Sequence, residues 1–217
     1  MYGFKEKKRG INLSLTLYLL IFNIILFIVF TLLISKNILS IDSIAVNPSN
    51  ILSGKYLWTL ITSVFMHAGF FHLFANMVSL IFLGSFIEKL LGKKRYLSFY
   101  LASGVFAGLF FVLSGLLIKS DFNSYAVGAS GALFGLIGLL MLLTPNLRVY
   151  LFFIPIPIKM KYAAPGILIL LWVVSIAANI SFGNFAHLGG FVFGLLYGLY
   201  LKIKFPRKTK YIQRTFI

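Results

Sequence analysis

The 217-residue chain has no cysteine and only four carboxylate side chains, Glu6, Asp42, Glu88 and Asp121. Without cysteine there are no disulfides, and the redox compartment cannot be read from the sequence. With so few carboxylates, a catalytic triad would be hard to complete. Charge of either sign is scarce, at 11% of residues, where soluble domains carry about 25%. No internal repeat, low-complexity tract or soluble domain breaks the chain, so residues 1–217 read as one domain. What fills it instead is apolar: 60% of residues are hydrophobic, which excludes an ordinary soluble fold.

A helix of about 20 apolar residues crosses the hydrocarbon core of a bilayer. Six segments qualify: Leu13–Ile34, Phe70–Ile87, Tyr96–Ile118, Ala126–Leu143, Ala163–Ile180 and Phe185–Ile203. The first follows Lys5-Glu6-Lys7-Lys8-Arg9 and so looks like a signal peptide. It is too long for a typical signal core and no small-residue cleavage site follows, so it reads as a membrane helix. The expected fold is therefore an all-α membrane protein with six transmembrane helices. Its flanks are a basic N-terminal segment at 1–10, a long first outer loop at about 35–66 and a basic C-terminal tail at 202–217.

The net charge of +16 could suggest a nucleic-acid partner, but its distribution says otherwise. On a six-span chain starting inside, seventeen basic residues fall inside and only Lys36, Lys55 and Lys119 outside. The positive-inside rule predicts that asymmetry, and a basic fringe is drawn to anionic lipids. Both termini are thus expected in the cytoplasm, with no nucleic acid bound. Localisation reads as integral and multi-pass, in a bacterial-type plasma membrane with the site facing outside.

The chemistry-bearing residues concentrate in three spans. Ser130 lies in Val127-Gly128-Ala129-Ser130-Gly131-Ala132, opening an apolar stretch with no charge until Arg148. Small neighbours allow close approach to a hydroxyl, as around a nucleophile turn, and polar groups inside a membrane bundle are functional candidates. Gly128, Gly131, Gly135 and Gly138 equally serve close helix packing, which small-xxx-small spacing provides. In Trp58 to Asn76, WTLITSVFMHAGFFHLFAN, His72 and Asn76 are four apart and share a helix face. Both can donate hydrogen bonds, as an oxyanion requires. His67 lies five residues from His72, about 140° around a helix, and reads as a capping or loop-anchoring residue.

In the last span His187 shares a face with Gly190 and Gly194. If that stripe meets Gly131, Gly135 and Gly138, His187 comes level with Ser130, and a serine beside a histidine base can become a nucleophile. Glu6 and Glu88 fall on the inner side, Asp42 and Asp121 in outer loops, so a Ser–His dyad without an acid is favoured. Glu88 reads as an ion pair with Lys89 or as a brace for the second and third helices.

The set HxxxxHxxxN in the second span, GASG in the fourth and AHxxGxxxG in the sixth resembles the rhomboid intramembrane serine proteases. The resemblance runs from Trp58 to Gly198 and includes Gly84 and Glu88. Each motif is weak alone; their order and spacing together are specific. It implies Ser130 as nucleophile, His187 as general base, and His72, Asn76 and the Ser130 backbone N–H as oxyanion donors, with no cofactor. It also implies a water-accessible cavity below the outer surface and a first outer loop, about Ser35–Thr59, lying partly in the bilayer. Substrates would be single-span membrane proteins cut near the outer part of their helix. Two departures stand out: Thr59 follows Trp58 where many relatives have Arg, and Phe134 replaces a Tyr that stacks on the catalytic histidine in some. Inactive relatives lack the Ser or the His, and this chain keeps both.

Three rivals remain. Three histidines could form a zinc site, although H-E-x-x-H is absent and no carboxylate lies near any of them. A small-solute carrier would show an inverted repeat or paired broken helices, and neither is found. A non-catalytic rhomboid-like chaperone or substrate-binding protein would use the same fold without cleavage.

Overall fold

Each apolar stretch of the sequence becomes a helix, but not all are of membrane length. The structure is a computed structural model that describes residues 14–151, 154–178 and 183–216. The basic segment 1–10, Leu13 and Ile180 lie outside the described residues. Among the described residues, five helices are long and apolar enough to cross a membrane: α1 (Leu15–Ser35), the continuous run Phe70–Leu91, α6 (Lys93–Leu117), α8 (Met160–Ala178) and α9 (Asn184–Lys204). The second comprises α4 (Phe70–Ser79), a π-helical turn at Leu80–Gly84, and α5 (Ser85–Leu91). Two short helices, α2 (Pro48–Leu52) and α3 (Thr59–Thr62), punctuate the first loop. In α2 the Asn47 side chain accepts the N–H of Asn50 while Pro48 occupies the first turn, a favourable helix start.

The fourth segment yields α7 (Ser130–Leu143), only 14 residues, or about 21 Å of rise. The sequence placed its start at Ala126. Instead Ala126 exchanges backbone hydrogen bonds with Val46 at 2.9 and 3.1 Å, and Gly128 takes φ +119°, which no right-handed helix accommodates. Residues Gly131 to Leu140 are all buried, so α7 is a central helix surrounded by protein.

What surrounds it is set by small residues. A Cβ on Gly190 would run into the carbonyl oxygen of Gly131, and one on Gly194 into that of Gly135. On the α6 side, Gly135 lies against Ser103 and Gly131 against Ala107. The two glycine stripes therefore do meet, at near backbone contact, the packing that small residues permit between membrane helices.

Two further features were not in the sequence reading. An antiparallel hairpin, β1 (Arg148–Leu151) and β2 (Ile154–Lys159), pairs Arg148 with Lys159 and Val149 with Ile158. The segment read as a basic tail is largely helical: Lys202 and Lys204 end α9, and α10 spans Pro206–Thr215.

Glu88 also has partners other than those expected. Its carboxylate accepts the N–H groups of Leu15 and Thr16 and the Thr16 hydroxyl, each at 2.8 Å. The brace thus ties the second span to the first, and Lys93 at the start of α6 adds its charge beside the same carboxylate. The first N–H groups of a helix have no partner of their own and carry partial positive charge, so a carboxylate suits them.

Candidate active site

Ser130 is the first residue of α7, and the turn that delivers it is fastened from several sides. The Gly128 N–H donates to the Ser63 carbonyl at 2.8 Å. A Cβ at Gly128 would sit 2.7 and 2.8 Å from Cε1 and Nε2 of His72. Glycine is thus required there twice, for its positive φ and for the room it leaves the imidazole. Ala129, the N-cap position, offers no side-chain cap, so the first backbone N–H groups of α7 point out of the helix end without intrahelical partners.

Close packing of α7 and α9 brings His187 to this end. Its Nε2 lies 2.8 Å from the Ser130 hydroxyl oxygen. Phe134, one turn into α7, stacks on the imidazole with ring centroids 4.6 Å apart and planes 23° from parallel. His187 is buried, and its Nδ1 has no hydrogen-bond partner among the described residues. When Nε2 accepts the serine proton, the neutral ring must carry its own proton on Nδ1.

His72 and Asn76 stand on α4 as the four-residue spacing requires. Nδ1 of His72 accepts the N–H of Ala68 at 3.3 Å. A backbone N–H can only donate, so in the neutral ring the proton sits on Nε2, the atom facing Gly128. Asn76 donates one amide N–H to the His72 carbonyl at 2.7 Å and keeps a second. His67, expected as an anchor, is buried, and its Nε2 accepts the Ala129 N–H at a long 3.5 Å. Its ring packs edge-on against His72, with centroids 5.2 Å apart. It supports the turn and not the hydroxyl.

The described carboxylates are engaged elsewhere. Asp121 accepts the Ser114 hydroxyl at 3.0 Å. Asp42 accepts Tyr125 at 2.8 Å and Asn50 at 2.7 Å. The Tyr125 hydroxyl, then the Asn50 amide, hold the Asp42 carboxyl below its usual range, and Asp42 in turn raises the Tyr125 phenol. Among the described residues no three His, Asp or Glu side chains are grouped to hold a metal ion. Each histidine already directs a ring nitrogen at a serine or backbone partner. Where Arg was expected to be missing as a loop anchor, the Trp58 indole N–H donates to the Ser43 carbonyl at 2.9 Å.

One participant escaped the sequence reading. Ser103 on α6 donates to the Gly131 carbonyl at 3.5 Å and lines the third side of the glycine contact. The only sequence signal for it is its place beside Gly104 and before Ala107 and Gly108 in an otherwise bulky span.

A family model described as the Rhomboid domain matches residues 54–204. The chain is 38% identical over 175 residues to RHOMBOID-like protein 1 of Arabidopsis thaliana, covering 78% of this chain and 41% of that protein. To Rhomboid protein 1, mitochondrial, of Saccharomyces cerevisiae it is 33% identical over 151 residues, covering 66% and 41%. To Inactive RHOMBOID-like protein 8 of Arabidopsis thaliana it is 34% identical over 139 residues, covering 63% and 36%. The chain thus spans about two-fifths of the length of these relatives. Together with the apolar helices, the matches make this an integral, multi-pass membrane protein. A mitochondrial relative among them leaves the expected bacterial-type plasma membrane without support.

Proposed function

We propose, from the premise that the chain belongs to the rhomboid family, that it is an intramembrane serine endopeptidase working through a Ser130–His187 dyad. What carries the reading is the 2.8 Å approach of His187 Nε2 to the Ser130 hydroxyl. In the first step Ser130 Oγ attacks the scissile carbonyl carbon while His187 Nε2 takes the hydroxyl proton. The proton passes to the leaving amine as the peptide C–N bond breaks. Water then gives a proton to His187 Nε2 as it attacks the acyl carbon, and that proton passes to Ser130 Oγ as the acyl C–O bond breaks, freeing the acid product and restoring the dyad. The Phe134 stack holds the imidazole in plane, a task a carboxylate performs in a triad.

The oxyanion formed at each step is met by the Ser130 backbone N–H at the start of α7, where the helix dipole favours negative charge. His72 Nε2–H and the free N–H of Asn76 complete the set. The substrates are single-span membrane proteins, cut near the outer part of their helix. In this reading α7 completes a six-span bundle with both termini in the cytoplasm, no cofactor takes part, and the basic end faces anionic lipid.

The alternative is a non-catalytic, substrate-binding role, which the relative named inactive keeps in view. A gel assay with a purified single-span substrate decides. Wild type is expected to cleave and Ser130→Ala to leave the substrate intact while still folded; cleavage by Ser130→Ala would overturn the mechanism. Because the base must be neutral, the rate is expected to fall on acidification. A rate rising steadily from about pH 7 to 5, through the usual histidine range, would argue against His187.

A further inference from the structure

The basic end of the bundle holds cations that no described carboxylate answers. Around the Phe205 ring, between α9 and α10, stand Arg95 at 5.4 Å, Lys204 at 5.9 Å and Lys208 at 6.0 Å from its centroid. Like charges gathered on one ring repel unless an anion sits among them. Asp42 and Asp121 lie at the opposite end, and the Glu88 carboxylate is taken up by Leu15 and Thr16, with Lys93 as the cation beside it.

Directly beside this cluster a groove opens between α6 and α9, with Lys94 and Arg95 at its mouth. Small side chains, Ser98 and Ala102, line it one and two turns beyond Lys94. Aromatic rings make its walls: Phe99 lies 5.6 Å from Phe193 and 4.9 Å from Tyr197. From Lys94 to Ala102 the helix rises about 12 Å, so the groove runs from charge into apolar surroundings. Its volume is about 330 Å³, far more than the roughly 10–15 Å³ a single water needs.

We propose that this groove binds an anionic glycerophospholipid, with the headgroup phosphate among Lys94, Arg95 and Lys204 and an acyl chain along Ser98 and Ala102. The proposal rests on the reading of α6 and α9 as membrane-spanning helices. Basic pockets between such helices suit acidic headgroups. Arg95 is already held at the mouth by the Phe205 face, so little side-chain freedom is lost on binding. The gradient from cations to rings distinguishes a lipid from a free anion, which would have no use for the aromatic walls.

The test is photolabelling of the full-length chain in phosphatidylcholine vesicles doped with phosphatidylglycerol carrying a diazirine in its acyl chain. Adducts mapped by mass spectrometry are expected on peptides containing Ser98–Ala102 and Phe193–Tyr197. Lys94→Gln with Arg95→Gln should cut that labelling by about tenfold or more. Ala102→Trp, which puts bulk into the groove and keeps every charge, should also cut it, and this variant decides if the double mutant fails to fold. Lys159→Gln with Lys161→Gln, on the hairpin side, should leave it unchanged. Equal labelling by a phosphatidylcholine probe, or labelling that survives both groove variants, would overturn the proposal. Ser130→Ala should label like wild type, so failure of the protease reading and failure of the lipid site give different results.

Discussion

Helices α1 and α7 have almost the same apolar composition and opposite circumstances. Along α1 only Thr16, Leu19 and Asn23 are buried, and large side chains such as Ile25, Ile28 and Leu32 are exposed. Along α7 eleven of fourteen residues are buried, and its glycines meet α9 almost backbone to backbone and the small side chains of Ser103 and Ala107 on α6. In hydrocarbon, apolarity does not say which face is inside, because lipid is as apolar as a core. What does say so is the exception: polar Thr16 and Asn23 mark the protein-facing side of α1, and glycine marks that of α7. The helix that carries the candidate nucleophile is the one held on every side.

The largest effects are expected where that contrast meets chemistry. Ser130→Ala and His187→Ala should each lower turnover by something approaching the 10⁶-fold seen when a catalytic unit loses one member, with helix content by circular dichroism unchanged. Measurable cleavage by either at more than about a hundredth of the wild-type rate would break the dyad. Gly190→Leu should abolish activity by another route. Its side chain would occupy the position of the Gly131 carbonyl, so the folded yield should collapse with it. Ile25→Ala in α1, by contrast, should change stability by no more than about 0.5 kcal/mol. A Gly190→Leu protein that folds and cleaves would show that the α7–α9 contact is not what fixes the site.

That contrast also separates what was legible in the sequence from what was not. Membrane embedding is a property of composition, so α1, α6, α8 and α9 could be read directly. The Ser130 knot, the His72–Asn76 spacing and the glycine stripe beside His187 were legible because chemistry and close approach each demand a residue type. The start of α7 was not: it depends on Ala126 pairing with Val46, some 80 residues away. The hairpin was missed because Pro155 and Pro157 break the strand pattern, a choice tolerated at sheet edges. Glu88's partners could not be read because nothing local announces that the start of α1 comes to it. Ser103 was hidden for the same reason, since its role appears only once Gly135 is beside it.

Between these extremes lie the proposed oxyanion donors, which sit on α4 with one side packed and one open. Losing one such donor costs about 10²–10³ in rate. Asn76→Ala should show a fall of that size in kcat with substrate binding little changed, and His72→Ala likewise. His67→Ala should act mainly through stability, because its nitrogen faces the Ala129 N–H and not Ser130. Single-turnover rates beside Tm for the three variants sharpen the assignment. Asn76→Ala at the wild-type rate would remove Asn76 from the site.

The smallest effect is expected at the loops, where Asp42 and Tyr125 join the first loop to the segment leading into Gly128. The pair is largely exposed, so its worth is discounted for solvent to under about 1 kcal/mol. Its pH dependence is nevertheless specific. The Asp42 carboxyl is held below its ordinary value of 3.8, first by Tyr125 and then by Asn50. Stability from that source is present above the ordinary value and lost as pH falls through the lowered one. Tyr125 is raised above its ordinary 10.0, chiefly by the Asp42 hydrogen bond, so its share is present below that value and lost as pH climbs through the raised one. The contact should therefore stabilise across the whole range between the two. The Tm gap between wild type and Tyr125→Phe should be steady near neutrality and close as the carboxyl protonates at the acid end. A gap that stays constant down to about pH 3, below the usual carboxyl range, would mean that the Asp42 charge is not what holds Tyr125.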